Sequence, residues 1–180
     1  MSKKVLIISS SFRLQSNSDI LAHEAEKGAL EAGNEVEFVN LKGKNINPCF
    51  GCMTCQSTLK CVQNDDMIKL VEKVRNSDVL IFATPIYFYE MCGQMKTFLD
   101  RCYPLYPGDY KFRDVYIITS SRASATHTSD TATMGLLGWI TCFEKANLAG
   151  MVIGAGVYEA NEILKHPDLL QQAYELGKGV

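Results

Sequence analysis

Short apolar runs of strand length alternate along this chain with longer segments in which apolar residues recur every three or four positions. That alternation predicts a parallel sheet wrapped by helices. The strand candidates are Val5 to Ile8, Val36 to Leu41, Val79 to Ala83, Val115 to Ile118 and Met151 to Ile153. All but the second are continuously apolar, the pattern of strands covered on both faces. The second alternates through Glu35-Val36-Glu37-Phe38-Val39-Asn40-Leu41 and so predicts an edge strand.

Between the runs, Asp19 to Ala32 gathers Leu21, Ala25, Gly28, Ala29 and Ala32 on one small-residue face and stops at Gly33. Asp65-Asp66 opens the next helix with negative charge where the helix dipole favours it, and Ile68, Val71 and Val74 follow on one face. Gln94 to Cys102, Met134 to Phe143 and Leu169 to Leu176 complete the set. No repeat, low-complexity segment or linker interrupts this series, so residues 1–180 are expected to form a single domain. Right-handed crossovers then give the expected fold. It is an α/β, flavodoxin-like three-layer sandwich with a five-stranded parallel sheet of order 2-1-3-4-5 and helices on both faces. Ligands of such sheets sit beyond the carboxyl ends of the strands, at the switch between strands one and three. The loops that matter are therefore Ser9 to Ser18, Thr84 to Gly93 and Thr119 to Thr131.

Composition narrows the field. The chain has 180 residues, 47% of them hydrophobic and 21% charged, as ordinary globular proteins do. A formal net charge of -2 with no cluster of Lys or Arg removes the electrostatic case for nucleic acid. The longest apolar runs fall well short of the roughly 20 residues that span a bilayer, so no membrane role is expected. Lys3-Lys4 leads straight into Val5-Leu6-Ile7-Ile8, too short a stretch for a secretory signal, and the cytoplasm is the expected compartment. Seven cysteines, an odd number, agree by arguing against a disulfide framework.

Cys49, Cys52, Cys55 and Cys61 follow a C-x2-C-x2-C-x5-C spacing. Thiolates so close together form either a soft-metal site or a redox device. The spacing is similar to compact runs that hold a [4Fe-4S] cluster, whereas structural zinc more often uses two separated pairs. A loop of free thiols or a reversible disulfide is the plain alternative. In the first loop, Ser9-Ser10-Ser11-Phe12-Arg13-Leu14-Gln15-Ser16-Asn17-Ser18, hydroxyls and free N–H groups converge at a helix N-terminus, the place for a phosphate. It matches neither the nucleoside-triphosphate loop nor the dinucleotide fingerprint, and a monophosphate without magnesium fits it better. Helix capping is the competing reading, because Ser16 and Asp19 match the [ST]-x-x-[DE] box. Arg13 is a candidate charge partner for the phosphate, or else a solvated side chain.

Strand three runs into Thr84-Pro85-Ile86-Tyr87-Phe88-Tyr89 and then Gln94-Met95-Lys96-Thr97-Phe98-Leu99-Asp100-Arg101. Aromatic residues straight after a buried strand would make a wall for a flat ring, and Pro85 would fix the turn. Together, the Ser-rich loop ending in Ser16-Asn17-Ser18, the cysteine run, the T-P-I-Y-F loop and the K-x-F-x-D-R helix resemble the NAD(P)H-dependent FMN reductase superfamily, and within it the iron-sulfur flavoproteins. The resemblance covers nearly the whole chain. It implies that Ser9, Ser11, Ser16, Asn17 and Ser18 hold the FMN phosphate, beside Arg13 as the candidate charge partner. It also implies that Pro85, Ile86, Tyr87 and Phe88 line the isoalloxazine, that Ser120, Ser121 and Arg122 close its other side, and that Lys96 and Arg101 anchor their helix. In that family the four positions matched by Cys49, Cys52, Cys55 and Cys61 ligate a [4Fe-4S] cluster.

The resemblance implies an FMN-dependent oxidoreductase that takes electrons from NAD(P)H and passes them to a quinone, a flavin, another small molecule or a redox protein, with or without the cluster. No side chain is required as acid, base or nucleophile, since the cofactor carries the chemistry. His127 lies in a suitable loop to assist with protons, although a lone loop histidine is more often solvated. An electron carrier between proteins, or a flavodoxin-like domain with structural zinc, are the alternatives. Members of the family are usually dimers or tetramers, and a homodimer or homotetramer is the expectation here. Cys102 falls on an apolar helix face and reads as core.

Overall fold

A computed structural model describes residues 2–180. Its elements in chain order are β1 (Lys4–Ser9), α1 (Asn17–Glu31), β2 (Glu35–Asn40), α2 (Cys55–Thr58), α3 (Met67–Asn76), β3 (Val79–Tyr87), β4 (Glu90–Met91), α4 (Gly93–Arg101), β5 (Asp114–Ser121), α5 (Asp130–Thr141), β6 (Asn147–Ala155) and α6 (Pro167–Lys178).

The long strands run parallel in the order β2-β1-β3-β5-β6, which is the expected 2-1-3-4-5 when they alone are counted. Ser9 pairs with Asn40 on one side and Ala83 on the other, so β1, β2 and β3 reach the ligand end of the sheet together. The short β4 is an addition the apolar pattern did not predict. β3 runs on past Ala83 and folds back on itself, pairing Ile86 with Met91 and Tyr87 with Glu90. The last strand also departs from expectation. It forms the second edge of the sheet, and Asn147, Ala149 and Met151 are exposed, so its apolar run is not covered on both faces.

Strand periodicity sorts the core into two layers. Leu6, Ile8, Leu80, Phe82, Val115 and Ile117 face α3, α4 and α5, where Phe82 packs edge-on against Phe98 and Trp139. Val5, Ile7, Val79, Ile81, Ala83 and Ile118 face α1 and α6. The small-residue face of α1 has a specific purpose there. A Cβ on Gly28 would stand 2.0 Å from the Tyr174 carbonyl oxygen, and one on Gly177 would stand 1.9 Å from that of Ala25, so the two helix backbones touch. Among the described residues no helix is long and apolar enough to cross a membrane.

Candidate functional site

The loop between β1 and α1 is built from buried serines. Ser9, Ser10, Ser11, Ser16, Asn17 and Ser18 are all buried, in a segment that apolar side chains would fill if it were only core. Ser16 caps α1 in extended geometry, and its Oγ accepts from Asp19 N at 3.5 Å and bonds Ser18 Oγ at 3.0 Å. The capping reading therefore holds in a weak form, since 3.5 Å is long for such a bond. Ser10 Oγ donates to the Ala83 carbonyl at 3.1 Å, and Ser11 Oγ accepts from Arg13 N at 3.3 Å. The first turn of any helix presents N–H groups without helical partners, so a capped, hydroxyl-rich loop at that point suits an anion. Asp19, the one group that would repel an anion there, is turned to the β1–β2 side, where Ser9 Oγ donates to it and Asn40 Nδ2 donates at 3.1 and 3.2 Å. Burial pushes its carboxyl above the ordinary value, and the hydrogen bond from Ser9 opposes that rise.

Two of the expected loop residues are engaged with a segment that sequence reasoning missed. Arg13 donates to the Tyr158 carbonyl, lies 3.6 Å from Glu159 and approaches the Tyr158 ring at 5.8 Å. Asn17 Nδ2 donates to Glu159 O at 3.0 Å while its Oδ1 accepts from Ile163 N at 3.1 Å, so its amide braces the start of the chain against the segment after β6. Arg122 packs on the same Tyr158 ring at 4.7 Å. Tyr158 thus draws together two cations from loops 109 positions apart, and no local signal around it announces this.

Pro85 pairs in register with Ser120, which sets the Pro85 to Phe88 segment beside Ser120, Ser121 and Arg122 at the carboxyl ends of β3 and β5. Ser121 Oγ donates to Ala123 O at 3.0 Å, and His127 is exposed. The turn between β3 and β4 places Phe88 and Tyr89 at φ of +52° and +68°, the left-handed pair that a two-residue hairpin usually fills with Asn-Gly. Holding aromatic residues there costs about 1–2 kcal/mol each, and Phe88 is 99% exposed, so the strain recovers no burial. A cavity of about 580 Å³ joins this hairpin to the first loop, with Phe12, Tyr87, Gly93, Thr97 and Ile46 in its wall. Buried Cys92 ties the same loops together: its Sγ donates to Ser10 Oγ at 3.1 Å and its N donates to Thr84 Oγ1 at 3.2 Å.

The cysteine run occupies the long connection from β2 to α3. Cys49 and Cys52 are exposed, while Cys55 and Cys61 are half-buried. Left-handed backbone at Gly51, Met53 and Leu59 folds the segment around the one-turn helix α2. Among the described residues no three His, Cys, Asp or Glu side chains are gathered closely enough to hold a metal ion. The sulfurs nonetheless act on one another. Burial first, then the charges of Cys61, Cys52 and Cys49, push the Cys55 thiol up, whereas hydrogen bonds from the Thr54 N–H and hydroxyl lower that of Cys52. An all-sulfur donor set of four suits an iron-sulfur cluster by its chemistry.

The stem of that connection hangs on α4. Arg101 is only 1% exposed, and its two terminal nitrogens grip Asp65 at 2.7 and 2.9 Å. Arg101 Nη1 also donates to Asn47 O at 2.6 Å, and Asp65 accepts from Asn47 N at 3.0 Å and Met67 N at 3.1 Å. Both ends of the cysteine loop are therefore fastened to one guanidinium. Burial would raise the Asp65 carboxyl, but the bonds from Arg101 and from the Asn47 and Met67 N–H groups hold it down to about 2. The expectation that Arg101 anchors its own helix needs extending, because the residues it grips lie 36 and 54 positions away. Lys96 pairs with Asp100 at 2.6 Å on the surface. Cys102 is fully buried and its thiol is pushed up by that burial, in keeping with a core role.

Residues 3–159 match the family described as NADPH-dependent FMN reductase. The chain is 38% identical over 102 residues to an iron-sulfur flavoprotein of Methanocaldococcus jannaschii, covering 57% of this chain and 53% of that protein. It is 42% identical over 101 residues to an iron-sulfur flavoprotein of Archaeoglobus fulgidus, covering 56% and 46%. The matches thus span about half the length of these curated relatives. Among solved structures, an NAD(P)H:quinone oxidoreductase from Methanothermobacter marburgensis superposes with a TM-score of 0.78 at 15% identity over 99% of this chain and 96% of that one, a likeness of fold.

Proposed function

The chain belongs to the NADPH-dependent FMN reductase family, and on that premise we propose that it is an FMN-dependent oxidoreductase that takes electrons from NAD(P)H and delivers them to a small-molecule or protein acceptor. The observation that carries this reading is the capped loop of buried serines at the start of α1, set at the switch between β1 and β3. Ser11, Ser16 and Ser18 would hold the phosphate of FMN, with the N–H groups of the first helical turn. Pro85, Ile86, Tyr87 and Phe88 would line one side of the ring, and Ser120, Ser121 and Arg122 the other. Ser9 and Asn17 support this loop through Asp19 and the segment after β6. Arg13 does the same through its contacts with Tyr158 and Glu159.

FMN, when bound, supplies the ability to accept a hydride from a nicotinamide and to release electrons one or two at a time. The chain's own residues would orient the ring against the aromatic hairpin, and backbone N–H groups of the Pro85 to Phe88 segment left free by the pairing of Tyr87 with Glu90 would favour the electron-rich form of a flat heterocycle. Cys49, Cys52, Cys55 and Cys61 would hold a [4Fe-4S] cluster on the ligand side of the sheet, and the names of the two curated relatives agree with that assignment. The working protein on this reading is a cytoplasmic homodimer or homotetramer that binds neither membrane nor nucleic acid.

An anaerobic ultraviolet-visible spectrum of protein supplied with FMN, iron and sulfide tests the proposal. Flavin absorbance that NADH or NADPH bleaches within the mixing time supports it. Protein that retains no flavin removes it, and retained flavin that only a protein reductant bleaches transfers the chain to electron carriage between proteins.

A further inference from the structure

Arg101 carries a hydrogen bond it does not make. A guanidinium presents two edges of paired donors: one formed by its terminal nitrogens, the other by Nε with the outer hydrogen of the neighbouring Nη2. Asp65 takes the first edge at 2.7 and 2.9 Å. On the second edge Nη2 lies 3.4 Å from Cys61 Sγ, while Nε, equally buried, has no partner. An unsatisfied buried donor costs about 1–3 kcal/mol, and folded proteins leave few of them. This one shares its edge with a thiol of the cysteine run, so the acceptor that would satisfy it belongs beside Cys61. Because Asp65 occupies the opposite edge, the ion pair presents its positive end to the sulfurs.

We propose that Arg101 is a positioning residue for an iron-sulfur cluster held by the cysteine run, its Nε–Nη2 edge presented to Cys61 Sγ and the space beside it, so that the more negative redox state would be favoured. The inference rests on the cluster reading above and adds to it a residue outside the four cysteines. Hydrogen bonds to ligating and bridging sulfurs, together with nearby charge, are established levers on the potential of such a group.

The experiment is a redox titration, followed by electron paramagnetic resonance, of the 180-residue chain loaded with FMN, iron and sulfide. It compares wild type, Arg101→Lys and Asp65→Asn, with iron, sulfide and flavin contents measured for each. Arg101→Lys keeps a cation for Asp65 but has no Nε–H edge. It should retain the cluster and lower its reduction equilibrium constant about tenfold, or about 59 mV for a one-electron couple. Asp65→Asn removes the opposing negative charge and should move the potential the other way. Opposite shifts support the proposal. A cluster whose potential is unchanged in both variants, or displaced in the same direction in both, makes Arg101 a staple only and leaves the cluster reading standing. Wild type that takes up no iron and sulfide, or zinc alone, overturns the cluster reading and this proposal together. If Arg101→Lys fails to retain the cluster, the neutral pair Arg101→Met with Asp65→Asn replaces it. That double variant must then show a lower potential than Asp65→Asn alone, and equal potentials overturn the proposal.

Discussion

The loop after β1 and the loop after β2 leave neighbouring strands at the same end of the sheet, and they are held in opposite ways. The serine loop is braced along its length: Ser10 to β3, Asn17 and Arg13 to the segment after β6, Ser9 to Asp19. The cysteine loop is fastened chiefly where it begins and ends, through Arg101, with a side-chain bond from Gln56 to Tyr103 between those points, and its sulfurs are exposed or half-buried. A site spread over many weak bonds loses little when one is removed. A site hung chiefly on one buried ion pair loses much more.

That contrast can be broken at the ion pair. Arg101→Ala should destabilise the protein by about 3–5 kcal/mol, the usual result of stranding a buried charge, and a urea titration that shows under 1 kcal/mol would erase the distinction between the loops. The same pair gives a pH signature. The folded-state value of Asp65 lies near 2 and its ordinary value is 3.8, so its contribution is complete above about pH 4 and is lost as pH falls through the folded value. The difference is worth about 2 kcal/mol, and the stability of Asp65→Asn should lack that decline when melts are compared between pH 5 and pH 2. Ser16→Ala, which removes one brace among several, should cost about 0.5–1 kcal/mol with a modest loss of FMN retention measured by fluorescence. Smallest of all, Phe88→Gly should stabilise the chain by about 0.5 kcal/mol in a thermal melt, because the left-handed position is released from an aromatic side chain that buries almost nothing.

The sheet was legible because strand pattern and burial agree in it: continuous apolar runs became β1 and β3, and the alternating Glu35 to Leu41 run became the β2 edge. The small-residue face of α1 was legible for the same local reason. β4 was hidden because its turn carries Phe88-Tyr89 where a hairpin is normally announced by Asn-Gly. The far edge was misread because an exposed Met151 is as apolar in sequence as a buried one. At the site, residue types were readable and partners were not. Asn17 looked like a ligand for phosphate and is tied to residues 142 and 146 positions on, and Arg101 looked like part of its own helix. Such long-range pairings depend on how elements dock, which no local spacing encodes.

The glycine contact between α1 and α6 bears on how the chain reaches its native state. α1 forms near the N-terminal end, yet Gly28 and Ala25 meet their partners Tyr174 and Gly177 only in the last helix. During synthesis α1 can assume helical form and cover its part of the sheet early but cannot complete this contact until α6 has been made, so the rest of that face waits for a long-range pairing. The close approach of these two helix backbones therefore belongs to the late part of folding, when the second layer is completed.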